Sequence, residues 1–199
     1  MKALTRAALP CTAVLLAVLT GCGSSASVSS PPPAPPASAP TPTASVTKWD
    51  IDPSFNATDL AWIELMIPMD EQLLRVLGLA EKQAADPAVK KFATEVAAGH
   101  KTELAQFVAL RARSRLPVRN PHEGHDMPGM MTEPEIVTLG GTKDQGFDPL
   151  FEKNLQEHLD QSIVLARSIT TDGKDAATKK LAASIIATRT TQLQQLAGL

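Results

Sequence analysis

Apolar residues recur every three or four positions along four stretches of this chain, the period of helices that bury one face. The first stretch runs from about Ala57 to Ala85, with Asn56 and Asp59 as capping residues and an inward stripe of Trp62, Leu65, Met66, Met69, Leu73, Val76 and Leu77. Pro68 falls inside it and is expected to bend it. Asp86-Pro87, a capping carboxylate before a proline at the first helical position, opens a second helix to about Arg115. Its stripe is Val89, Phe92, Val96, His100, Glu103, Phe107 and Leu110, which puts two polar side chains on an apolar face. Asp148-Pro149 opens a third helix with Phe151, Leu155, His158, Ser162 and Leu165 inward. Asp175 opens a fourth with Leu181, Ile185, Arg189, Gln192 and Leu196 inward. No stretch alternates as a half-buried strand does.

The second pair of helices repeats the first. Residues 59–110 align with 148–199 at a constant offset of 89 without a gap, and about a dozen pairs are identical, among them Asp59/Asp148, Gln72/Gln161, Asp86/Asp175 and Leu104/Leu193. The expected architecture is all-α: a four-helix bundle over residues 51–199, made of two repeated helical hairpins. Duplicated hairpins gather equivalent positions around a shared axis, where a polar or metal site can sit. Met69 pairs in this way with His158, His100 with Arg189, and Glu103 with Gln192. The connection between the hairpins, residues 116–146, is long and rich in Pro, Gly, His and Met, with a short helix expected from Thr132 to Leu139. Connections of this length are commonly functional or disordered.

Ahead of the bundle the pattern changes twice. Lys2 and Arg6 precede an apolar run from Ala13 to Leu19, which ends in Leu19-Thr20-Gly21-Cys22. This has the form of a secretory signal over residues 1–21, and the run is too short to span a bilayer. The tetrapeptide resembles a bacterial lipobox, which implies cleavage before Cys22 and acylation of its sulfur. The expected localisation is therefore the cell envelope, with a lipid anchor in the membrane as the chain's one predicted partner. Residues 22–50 are rich in Ser, Ala, Thr and Pro and too poor in apolar residues to fold, so they read as a disordered tether. At roughly 3 Å per residue, about 25 residues of it reach up to about 75 Å.

Cys11 leaves with the signal, so the mature chain has one cysteine and no internal disulfide. Losing Lys2 and Arg6 takes two positive charges from a net of -2, giving -4. That balance, with no basic stripe, argues against nucleic acid. No nucleophile with a paired base, Gly-rich phosphate loop or His-Glu-x-x-His helix is present, and the chain is read as non-enzymatic.

Two groups of residues carry candidate metal chemistry. His122, His125, Met127, Met130 and Met131 put two imidazoles and three thioethers within ten residues of the connection, and thioethers favour Cu(I). The alternative is that Met130 and Met131 pack under the bundle as apolar side chains. Inside the bundle, Met69, His100, Glu103 and His158 form a mixed donor set on inward faces. Arg189 weighs against a cation there, since a guanidinium is always charged and pairs well with Glu103 or Asp70. The competing expectation is a hydrogen-bonded structural layer of Glu103, Arg189 and Gln192.

The motifs resemble those of the ferritin-like family called domain of unknown function 305. Each half of that family carries a Met-Ile-Pro-His-His type motif, followed one helix later by Gln-x-x-Glu. Here the first motif reads Met66-Ile67-Pro68-Met69-Asp70 and the second Leu155-Gln156-Glu157-His158-Leu159. The Gln-x-x-Glu positions are His100-x-x-Glu103 and Arg189-x-x-Gln192, while Met130 to Glu133 and Gly146 to Asp148 fit the family's middle segment. The resemblance implies a copper-binding extracytoplasmic protein using His and Met. Three of four family histidines are missing, which leaves open a non-catalytic envelope module that has lost the metal site, with an unknown protein partner. Replacing Cys22→Ser should abolish acylation and leave the signal uncleaved at the lipobox; a variant that still incorporates a palmitate analogue would refute the lipobox reading.

Overall fold

The computed structural model describes residues 50–199; the signal, the lipobox Cys22 and almost all of the tether lie outside the described residues. Five α-helices follow in order: α1 Ala57–Gln83, α2 Pro87–Ser114, α3 Glu133–Gly141, α4 Phe147–Asp172 and α5 Ala176–Leu196. There is no strand among the described residues. α1 packs along α2 and α4 along α5, as two hairpins, and the hairpins meet mainly through α1 against α4. None of these helices is long and apolar enough to cross a membrane.

Local chemistry sets the boundaries. Asn56 and Asp59 form a reciprocal capping box at the start of α1. α1 runs through Pro68 as one continuous helix. Asp86 caps α2 by accepting from the Ala88 N–H, with Pro87 at the first position. At α3 the Glu135 carboxylate accepts from both the N–H and the hydroxyl of Thr132. Asp175 accepts from the N–H and hydroxyl of Thr178 at α5 and pairs with Arg113 of α2.

α4 departs from expectation. It begins at Phe147 behind Gly146, so Asp148 lies in the first turn and does not cap its own helix. Its carboxylate instead accepts from the N–H groups of Ala85 and Asp86, at 2.9 and 2.8 Å, in the turn between α1 and α2. The repeat returns the arrangement: Asp59 Oδ2 accepts from Lys174 and Asp175, both at 3.0 Å, in the turn between α4 and α5. Each hairpin thus satisfies the otherwise orphaned N–H groups of the other's turn. Gly173 allows the approach, because a Cβ there would lie 2.8 Å from Asp59 Oδ1 and 2.6 Å from the Ile169 carbonyl.

The core is divided. One apolar cluster joins Leu73, Leu77, Phe92, Phe147, Phe151 and Leu155; the other joins Trp62, Ile63, Met66, Met69, Phe107 and Ile185. Every long helix passes from one cluster to the other, and between them it carries buried polar residues: Asp70, His100 with Glu103, His158 with Ser162, and Arg189 with Gln192. Leu65 and Leu165, expected inward, are only partly buried, while Ile63, Ile67 and Ile163 are fully so. α1 buries a wider face than one stripe because it meets both α2 and α4.

The two staples should differ in weight. Asp59 is wholly buried and its Oδ2 serves three N–H groups, whereas Asp148 serves two in a half-buried position. Asp59→Ala should cost about 2–4 kcal/mol and Asp148→Ala about 1–2 kcal/mol in urea unfolding, as buried donors lose their acceptor. Equal, small losses would show that the turns find other acceptors.

Candidate metal site in the polar layer

The layer at mid-bundle is built from one or two residues of each long helix. Asp70 and His100 are inaccessible to solvent, Arg189 is 1% exposed, His158 3% and Glu103 7%. The strongest bond is between charges: Arg189 Nη2 donates to Glu103 Oε1 at 2.6 Å. Nη1 donates more weakly to Gln192 Oε1, at 3.4 Å. Arg189 Nη2 also lies 4.0 Å from Asp70 Oδ1, beyond hydrogen-bonding range.

The two imidazoles are held from behind. His100 Nδ1 donates to the Val96 carbonyl at 3.0 Å, one turn back on α2. His158 Nδ1 donates to the Gly129 carbonyl at 3.1 Å, in the connection that crosses above α4. A carbonyl only accepts, so each neutral ring carries its proton on Nδ1 and turns the lone pair of Nε2 inward. The ring centroids are 5.6 Å apart, and His100 Nε2 stands 4.0 Å from Asp70 Oδ1. One donor atom from each of Asp70, His100 and His158 lies within 4.8 Å of the others. Both Nε2 atoms lack a hydrogen-bond partner, and the one neighbour to which a protonated Asp70 carboxyl can donate is Glu103. Unpaired polar atoms this deeply buried are rare, since each costs its full desolvation.

Electrostatics keeps the histidines unprotonated. Burial, reinforced by the Arg189 charge, pulls His158 down to about 3. Burial, the Arg189 charge and the neighbouring His158 lower His100 well below the usual imidazole range. Asp70 moves the other way, raised well above the normal carboxylate range by burial and by the Glu103 charge. Burial also raises Glu103, against the pull of Arg189. Neutral imidazoles are the form that coordinates metals, and orienting Nδ1 through a backbone carbonyl is how such ligands are commonly fixed.

Of the residues expected from the sequence, the structure brings His100, Glu103, His158, Arg189 and Gln192 into this layer. Glu103 is engaged by the guanidinium, so it does not complete the donor set; Asp70 does. Met69 packs in the apolar cluster with Trp62, Met66 and Phe107. Asp70 stands where the repeat has Leu159, and both positions are buried. Its signal in the sequence was the carboxylate at the position of a family histidine.

The connection is ordered around its own residues. Gln72 grips Met131, its Oε1 accepting from the Met131 N–H at 2.7 Å and its Nε2 donating to the carbonyl. Met131 packs against one apolar cluster and Met130 against the other. The His122 and His125 rings are 6.4 Å apart, and with Met130 and Met131 they edge an open cavity of about 700 Å³ over Pro68 and Gln72. Met127 does not line it. Four of the five loop candidates, His122, His125, Met130 and Met131, therefore line one cavity, and Met127 lies outside it.

The buried pair gives a direct stability test. Arg189→Leu should destabilise the bundle by about 3–5 kcal/mol, because it strands Glu103, whereas Arg189→Leu with Glu103→Leu should cost much less. Additive losses in urea unfolding would show that the two side chains are not coupled.

Comparison with solved structures gives the same fold. The chain superimposes on a crystallised fragment from Deinococcus radiodurans with a TM-score of 0.65 at 15% identity, covering 72% of this chain and 95% of the other. A protein from Streptomyces coelicolor described as secreted gives 0.64 at 17% identity, covering 71% and 90%. CopM, solved with Cu(I), gives 0.60 at 20% identity, covering 72% and 95%. A comparison with curated proteins gave no significant match. Residues 59–199 match the family described as Domain of unknown function (DUF305), as do the Deinococcus and Streptomyces structures, and the chain belongs to that family.

Proposed function

We propose that this protein is a membrane-tethered, extracytoplasmic metal-binding module that holds one copper ion at Asp70, His100 and His158. The observation that carries the reading is the pair of buried imidazoles with Nδ1 fixed on backbone carbonyls and Nε2 free, beside the buried Asp70 carboxyl. Such a set suits a transition metal, and nitrogen with oxygen donors admits copper. Support of a different kind comes from CopM, a structural neighbour solved in Cu(I)-bound, Cu(II)-bound and silver-bound forms. The lipobox and tether supply the anchor and the reach, and a secreted neighbour fits that placement. The module binds its ion without catalysing a reaction.

Bound copper would bring a positive charge into the layer. Asp70 would meet it as carboxylate, while His100 and His158 already present lone pairs. Glu103 would continue to pair with Arg189, which lessens the repulsion of a guanidinium on a cation without removing it. The cavity edged by His122, His125, Met130 and Met131 offers soft donors at the surface, nearer to solvent than the layer.

The test is anaerobic Cu(I) titration of the full chain in detergent against a chromophoric chelator. One ion should be held, and His100→Ala or His158→Ala should weaken it by about tenfold or more, as loss of a ligand does. Replacing His122, His125, Met127, Met130 and Met131 together should leave that ion bound. Retention unchanged by either core histidine, or lost only with the loop residues, would move the site to the connection. No retained copper would favour the purely structural layer.

A further inference from the structure

We propose that Arg189 sets the charge class of the bound ion, so that the layer accepts a monovalent cation and rejects divalent ones. The inference rests on the reading of Asp70, His100 and His158 as a metal site, and goes beyond it by assigning selectivity to a residue that touches no ligand position.

Among the described residues, the buried ionisable side chains are Asp59 and Asp175, at the helix ends, and Asp70, His100, Glu103, His158 and Arg189 in the layer. Arg189 contributes one positive charge that it cannot shed. With an ion bound, Asp70 coordinates as a carboxylate, so that it and Glu103 contribute two negative charges, and the histidines coordinate as neutral rings. The sum is one negative charge, which a monovalent ion cancels. A divalent ion leaves one uncompensated positive charge between two clusters of aliphatic and aromatic side chains, the situation that buried sites avoid most strongly. Arg189 Nη2 is 4.0 Å from Asp70 Oδ1, close enough for its charge to be felt at the site yet too far to be a ligand's hydrogen-bond partner. The repeat sharpens the point: Arg189 occupies the position equivalent to His100, so a coordinating residue in one half is matched by a permanent cation in the other.

Charge, not size, is then the variable to manipulate. The full chain is used with His122→Ala, His125→Ala, Met127→Leu, Met130→Leu and Met131→Leu, so that loop donors do not obscure the core. Ag(I) and Zn(II) serve as the monovalent and divalent probes in competition titrations, with urea unfolding to confirm that each variant is folded. The parent should bind Ag(I) and hold Zn(II) at least about a hundredfold more weakly. Arg189→Gln frees one negative charge and should tighten Zn(II) by about tenfold or more. Arg189→Gln with Glu103→Gln restores the sum to one negative charge and should return Zn(II) to its parental weakness; it also keeps the layer free of a stranded charge, so it reads out even where the single variant folds poorly. Arg189→Lys should retain the preference for Ag(I). Equal affinity of the parent for both ions, or identical Zn(II) affinity in the single and double variants, overturns the assignment while leaving the metal site standing. A parent that binds neither ion removes the site itself.

Discussion

A guanidinium that cannot give up its proton sits in the middle of this bundle, 1% exposed, and the rest of the layer is arranged around that fact. One carboxylate, Glu103, meets it at 2.6 Å. A second, Asp70, is shielded from solvent and lies beside Glu103's negative charge, which together with burial favours its protonated form. Both histidines stay neutral because protonating either would add a second positive charge to a dry region. The apolar core is accordingly two clusters with a charged seam, and all four long helices must be in register for the seam to close.

Register is secured at the ends by a different device. Asp59 and Asp148 are the same residue in the two halves of the repeat, and each reaches across to the turn of the opposite hairpin. The ends have therefore kept the symmetry of the duplication. The middle has lost it: His158 stands where the first half has Met69, Arg189 replaces a second His100, and Gln192 replaces a second Glu103. The turn contacts lie where the halves still agree, and the candidate chemistry resides where they diverge.

The helical architecture was legible because it depends on periodicity and capping, both local in sequence. Asn56, Asp86-Pro87 and Asp175 mark helix starts that the structure repeats within a residue or two. Asp148 misled because an aspartate before proline has the form of a cap whichever N–H groups it finally serves, and its true partners are more than sixty residues away. The stripe on α1 was drawn too narrow for a similar reason: a period shows one buried face, whereas contact with both α2 and α4 buries a second. Asp70 lies on that second face. The repeat did place His100, Glu103, His158, Arg189 and Gln192 at one level, since equivalence by duplication is a statement about position. It could not say which carboxylate Arg189 would take, because that depends on an ångström or two of side-chain reach.

The connection shows how a sequence reading of donors differs from a structural one. Its two methionines at 130 and 131 line one cavity, yet each also packs against a different apolar cluster. The residue of the connection that acts directly on the core layer is Gly129, which carries no donor side chain at all. Its carbonyl accepts from His158 Nδ1, and that bond decides which ring nitrogen faces Asp70. The backbone there has φ of 77°, and a Cβ would fall 2.6 Å from the Cβ of Gln161, so glycine is required on both conformational and steric grounds. The grip of Gln72 on the neighbouring Met131 holds the segment at that height. The histidine tautomer in the core is therefore set by a backbone carbonyl in a surface connection, and a side chain at 129 would disturb the layer without removing any of its donors.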